Sequence, residues 1–112
     1  MANEHPNSFE SRRLILDEKL RSLLGNGNVY FQPPETIRLK YPCIIYELSD
    51  GDTRYADNLG YLFARKYQVM HVHLDPDEDL MDEIRLGFQF SRFDRRYVAD
   101  NLYHDVYTIY FK

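Results

Sequence analysis

Tryptophan is absent and cysteine occurs once, at Cys43. A lone cysteine cannot close an internal disulfide, so a disulfide-stapled secreted fold is excluded and a reducing site of synthesis is expected. No apolar run exceeds a handful of residues, far short of the roughly 20 that a helix needs to span a bilayer. The segment Met1 to Ser8 is polar without an apolar centre, so no signal peptide is expected. There is no Gly-rich phosphate loop, no nucleophile elbow and no cysteine cluster. Fourteen Lys and Arg against eighteen Asp and Glu leave a formal charge of -4. That balance argues against a non-specific nucleic-acid binder, which normally carries a basic face. The acid is spread along the chain rather than clustered, as on a solvated surface.

What is abundant is aromatic and phenolic surface. Ten Tyr and seven Phe make up 15% of 112 residues. Tyrosine suits surfaces that are half apolar and half wet, as interfaces are. The length fits a single domain over 1–112 with a small core, which oligomerisation would supplement.

Periodicity and punctuation predict an α+β domain. Residues 1–7 read as a flexible tail, and Asn7 with Glu10 forms a capping-box pattern. A helix then runs to Leu24, closed by Gly25, with Leu16, Leu20, Leu23 and Leu24 on one face with Phe9. Val29-Tyr30-Phe31 reads as a short strand, and Cys43 to Leu48 as a strand apolar on both faces. The polar segment 49–62 is long for a small domain and is expected to be a mobile loop. Phe63 to Asp75 is the longest strand candidate, with Tyr67, Val69, His71 and His73 on one face. Asp75-Pro76-Asp77 has the chemistry of a helix start, with Leu80, Ile84, Met81 and Phe88 facing the core and Gly87 as the stop. Phe88 to Tyr97 and Leu102 to Phe111 read as two strands joined by a turn at Ala99-Asp100-Asn101. The expected fold is therefore α+β, a mainly antiparallel sheet of four to five strands flanked by an N-terminal helix and a second short helix.

Three constellations could carry chemistry. His71-x-His73, with Asp75 continuing the strand face, is a metal-ligand set in principle; a polar strand face near the sheet edge or a subunit contact is the favoured reading, since His-x-His alone is common and no third ligand is assured. His104 with Asp105, Asp94 and Asp100 could form an acid–base cluster. The simpler reading makes Asp94, Asp100, Asn101 and His104 a structural turn group. Phe90, Arg92, Phe93, Arg95, Arg96 and Tyr97 interleave aromatics with arginines, as surfaces that stack single strands do. Asp94 and the needs of a small core oppose that reading. Cys43, in an apolar strand, reads as a buried small hydrophobe rather than a nucleophile.

Several segments, in order, resemble a known family. They are Tyr41-Pro42-Cys43-Ile44-Ile45-Tyr46, Ala56-Asp57-Asn58, and Tyr67-Gln68-Val69 leading to Asp75-Pro76-Asp77. The closing ones are Phe93-Asp94-Arg95-Arg96-Tyr97 and Asp100-Asn101-Leu102-Tyr103-His104-Asp105-Val106-Tyr107. The set resembles the tail terminator proteins of long-tailed double-stranded DNA bacteriophages, also termed tail completion or tail-to-head joining proteins, over residues 9–112. The resemblance implies a hexameric ring that caps the tail tube, ends its polymerisation and docks to the head connector. It implies no catalytic residues, no cofactor and no metal. The implied partners are further copies of the chain, the tail tube protein, the head completion or connector protein, and double-stranded DNA in passage, with no membrane. An acidic ring suits that passage, since a negative lumen lets DNA slide. The implied place is the head–tail junction of the virion, after synthesis in the cytoplasm of a bacterial host. From the loop, Asp50, Asp52, Arg54, Tyr55, Asp57, Asn58 and Tyr61 are the expected assembly surface. The alternatives are a minor capsid or head-completion connector protein, or a small metal-dependent enzyme using His71, His73 and Asp75.

Overall fold

The structure, a computed structural model, describes residues 9–49 and 64–111. The expected tail at 1–7, the capping residue Asn7, nearly all of the 49–62 loop and its seven candidate interface residues lie outside the described residues.

The elements are α1 (Phe9–Leu24), β1 (Val29–Phe31), β2 (Cys43–Leu48), β3 (Arg65–His73), α2 (Met81–Gly87), β4 (Ser91–Ala99) and β5 (Leu102–Phe111). The strands form one five-stranded sheet in the order β1-β2-β3-β5-β4. Among the described strands only β1 and β2 run parallel; the other pairs are antiparallel. The α+β reading is correct.

Helix α1 ends where the sequence says. Gly25 takes φ +86°, which costs glycine little, and its N–H closes the last turn on the Arg21 carbonyl at 2.9 Å. Leu16 and Leu20 are fully buried, while Leu23 and Leu24 pack at the core's margin. Polar ties fix the helix over the sheet. The Tyr46 hydroxyl donates to Asp17 Oδ2 at 2.7 Å, and Lys19 Nζ donates to the Gly87 carbonyl at 2.8 Å.

Strand alternation sets the two faces of the sheet. Tyr67, Val69, His71 and His73 of β3 face the helices and are all buried. They join Ile44, Tyr46, Tyr107, Ile109, Leu80, Ile84 and Phe88 on the same side. The rim strand β4 is mostly exposed along its length.

Two expectations about the second helix are corrected. Asp75-Pro76-Asp77 does not open it. Asp75 instead closes a turn, its carboxylate accepting from the Asp77 N–H at 2.9 Å and its carbonyl from the Glu78 N–H at 3.0 Å. An Asp-Pro start serves a turn as well as a helix, so local composition could not separate them. Helix α2 begins at Met81, whose N–H bonds the Asp79 carboxylate at 3.0 Å. Met81 is also exposed rather than facing the core, while Leu80, Ile84 and Phe88 are buried.

The closing hairpin has a two-residue loop, with Ala99 paired to Leu102. Asp100 and Asn101 take φ +53° and +63°, the left-handed pair that matches strand twist. Asn101→Ala is expected to destabilise the chain by about 1 kcal/mol, because asparagine enters the left-handed region more readily than alanine through local polar contacts of its side-chain amide. Asn101→Gly should retain full stability. Urea denaturation of the two variants checks this, and an alanine variant as stable as the parent would contradict it.

Candidate functional site

The most chemically concentrated part of the described chain is a buried cluster on the helix face of the sheet. Strand alternation sends both His71 and His73 inward, and their rings stack at 4.3 Å between centroids. Pairing of β3 with β5 sets Asp105 opposite His71, so its carboxylate enters the same pocket. Pairing of β4 with β5 sets Arg96 opposite Asp105. All three of His71, His73 and Asp105 are at most 1% exposed, and one ligating atom from each lies within 4.8 Å of the others.

The bonds within the cluster are directional. Arg96 donates through Nε to Asp105 Oδ1 at 2.5 Å and through Nη2 to Oδ2 at 3.0 Å. The same guanidinium donates to the Pro76 carbonyl at 2.9 Å and the Glu78 carbonyl at 3.0 Å, which pins the turn before α2. It also lies 5.1 Å from the centre of the Tyr103 ring. His73 Nδ1 lies 3.0 Å from the Asp75 carbonyl, and its Nε2 lies 2.8 Å from Asp105 Oδ2. His71 differs. Its Nε2 is 3.5 Å from Glu78 Oε2 without forming a hydrogen bond, and neither ring nitrogen has a hydrogen-bond partner among the described residues.

Electrostatics follow from these positions. Burial, then the neighbouring His73 and Arg96, push His71 down to about 4, against the opposing pull of Asp105 and Asp79. Burial works to raise the Asp105 carboxyl, but hydrogen bonds from Arg96 and His73 outweigh it and hold the group below the ordinary carboxylate value. The pocket therefore holds a neutral imidazole beside a fixed carboxylate.

The fold rearranges the expected constellations. His71 and His73 do come together, but Asp75 does not join them through its carboxylate. It is exposed, and only its backbone oxygen meets His73. Asp105 takes the third position. The acid–base group around His104 is not assembled. His104 and Asp105 are neighbours in β5 and face opposite sides of the sheet. His104 turns its Nδ1 to the Leu102 carbonyl at 3.0 Å and stacks on Tyr97 at 4.7 Å. Asp94 does not belong to the hairpin turn with Asp100 and Asn101. It sits at a bulge in β4, where it accepts from Thr108 Oγ1 at 2.6 Å and from Arg92 Nε at 2.7 Å. The arginines of β4 are committed singly, Arg92 to Asp94, Arg95 over the Tyr97 ring at 5.3 Å, and Arg96 inward. They do not form the shared platform that stacking of a single strand requires. Cys43 is fully buried, and burial pushes its thiol up to about 11, which leaves no thiolate to react.

Sequence reading did not place Arg96 and Glu78 in this cluster, and it assigned Asp105 to His104. The signal existed only as an inward-facing charge on β5, and it needed the β3–β5 register to become legible.

No protein-family model, no curated protein and no solved structure matches this chain.

Proposed function

We propose that the chain is a structural virion protein of the tail terminator kind. It forms a ring that caps a phage tail tube, ends its polymerisation and joins the tail to the head connector. The observation that carries this reading is a pair of unlike association surfaces on one small subunit. The first is the outer edge of β4, a nine-residue rim strand that pairs with β5 on its inner side and with no described strand on its outer side, with Phe93, Tyr97 and Val98 exposed along it. The second lies on the helix layer, where Leu14, Ile15 and Leu86 are exposed, Leu86 at 89%. Ile15 and Gly87 line a common groove there.

A twofold dimer needs one self-complementary patch. A head-to-tail contact needs two different patches, and closing it by rotation gives a ring. The bulge at Asp94 and the arginines on β4 oppose open-ended strand addition at that edge, so contact there would run through its exposed side chains. Activity of this kind is geometric, so it requires faces rather than a catalytic centre.

Native mass spectrometry and electron microscopy of the purified chain, alone and with short lengths of tail tube, test the reading. Six-membered rings are expected, on tube ends if not in free solution. Leu86→Glu and Val98→Glu should each reduce ring formation at least about tenfold, as expected for a buried charge costing about 1.4 kcal/mol or more at a contact. A chain that stays monomeric on tube ends, or closes with another symmetry there, overturns the proposal.

A further inference from the structure

The cluster at the β3–β5 pairing has the donor arrangement of a closed metal site. We propose that His71, His73 and Asp105, completed by Glu78, bind one divalent transition metal ion of the zinc type and so fasten the turn before α2 to the sheet. This inference is independent of the ring reading.

Four observations converge. First, His71 is fully buried, with both ring nitrogens unpartnered among the described residues. A buried polar group without a partner carries a cost of roughly 1–3 kcal/mol, and an ion would turn that cost into a bond. Second, His73 Nδ1 faces a backbone carbonyl at 3.0 Å. A carbonyl can only accept, so Nδ1 carries the proton and donates. The ring's Nε2 then faces Asp105 Oδ2 at 2.8 Å, across an edge that either a proton or a metal ion can bridge. Arg96 Nη2 flanks both atoms, 3.0 Å from Asp105 Oδ2 and 3.5 Å from His73 Nε2, and an ion at this edge would take the place of a proton between them. A backbone carbonyl on the distal nitrogen is the usual support of a ligating histidine. Third, Glu78 Oε2 stands 3.5 Å from His71 Nε2 on a partly exposed side chain. Zinc at about 2.0–2.2 Å from nitrogen and oxygen ligands sets them roughly 3.3–3.5 Å apart in a tetrahedron. The 2.8 Å and 3.5 Å separations straddle that edge, and the ligating atoms of His71, His73 and Asp105 lie within 4.8 Å of one another. Fourth, Arg96 bonds both oxygens of Asp105 and orients the carboxylate from outside. A carboxylate has about four acceptor sites, so these bonds leave room for an ion.

The guanidinium charge opposes the ion, and the carboxylates of Asp105 and Glu78 offset it. Two imidazoles with two carboxylates favour zinc over the harder calcium and magnesium, which take oxygen donors. With His71, His73 and Asp105 sealed from solvent, the ion's place is structural.

The test is metal binding by the whole chain after chelator treatment, using Zn(II) for stoichiometry and affinity and Co(II) for coordination. The expected result is about one Zn(II) per chain, a raised melting temperature, and intense visible Co(II) bands of four-coordinate type that Zn(II) removes. His71→Ala should abolish those bands. Glu78→Gln lies at a partly exposed position that folding tolerates, and it should weaken Co(II) binding roughly tenfold or more while leaving the metal-free melting temperature in place. His104→Ala, on the opposite sheet face, should bind as the parent does. A parent chain that takes up no Zn(II) at micromolar free metal overturns the proposal. So does Co(II) binding that survives His71→Ala, or a Glu78→Gln chain that binds as tightly as the parent.

Discussion

Arg96→Met is expected to destabilise the metal-free protein by about 3 kcal/mol, near the lower end for breaking a buried ion pair. The cost arises at Asp105, not at the arginine. Asp105 is 1% exposed, and Arg96 supplies both of its guanidinium bonds. Removal leaves a buried carboxylate with one histidine partner and also frees the Pro76 and Glu78 carbonyls. The adjacent Arg95→Met provides the control. Arg95 is exposed, rests on the Tyr97 ring and should cost roughly 0.5 kcal/mol. Urea denaturation in the presence of a chelator measures both. Equal effects of the two substitutions would show that the Asp105 pair is not a structural centre.

The second large effect is acid sensitivity in the same pocket. His71 titrates at about 4 in the folded chain against an ordinary 6.5. Below pH 6.5 the unfolded chain binds a proton that the folded chain refuses, so stability falls as pH falls. The slope is about 1.4 kcal/mol per pH unit, giving roughly 3 kcal/mol lost between pH 6.5 and 4. Below about 4 the folded form also takes the proton and this contribution levels off. Asp105, held below its ordinary 3.8, then loses its own share at still lower pH, as protonation breaks the Arg96 and His73 bonds. The groups that face His71 are His73, Asp105, Arg96, Glu78 and Asp79. The chelated protein is the one to measure, with His71→Phe as the comparison. The parent should show the slope between pH 6.5 and 4 and the variant should not. A parent flat across that window would place His71 in a solvated setting, contrary to its burial.

Local rules made most of the fold legible in the sequence, and non-local pairing decided the rest. Gly25 ended α1 because only a left-handed residue fits there, and Asp100-Asn101 marked the hairpin for the same reason. Alternation in β3 showed which residues share a face, His71 and His73 included. It could not show what they meet. Asp75 looked like the third ligand because it is near in sequence. Asp105 takes that place because β5 pairs beside β3 in a register that no local pattern encodes. The start of α2 was misplaced for a related reason. Asp75-Pro76-Asp77 has helix-start chemistry, but Arg96, from a strand twenty residues away, holds that segment as a turn by bonding the Pro76 carbonyl. Asp94 was assigned to the turn by proximity, and a bulge moved it to the sheet face beside Thr108.

The ring reading meets its most direct test in electron cryo-microscopy of long-tailed phage particles assembled with this chain carrying a tag. The expected result is sixfold density for the chain in a single layer between the tail tube and the head connector, with tubes of uniform length. Density in the capsid shell or elsewhere in the connector would make it a head-completion protein. Particles that join heads to tails of normal length without the chain would contradict the proposed function outright.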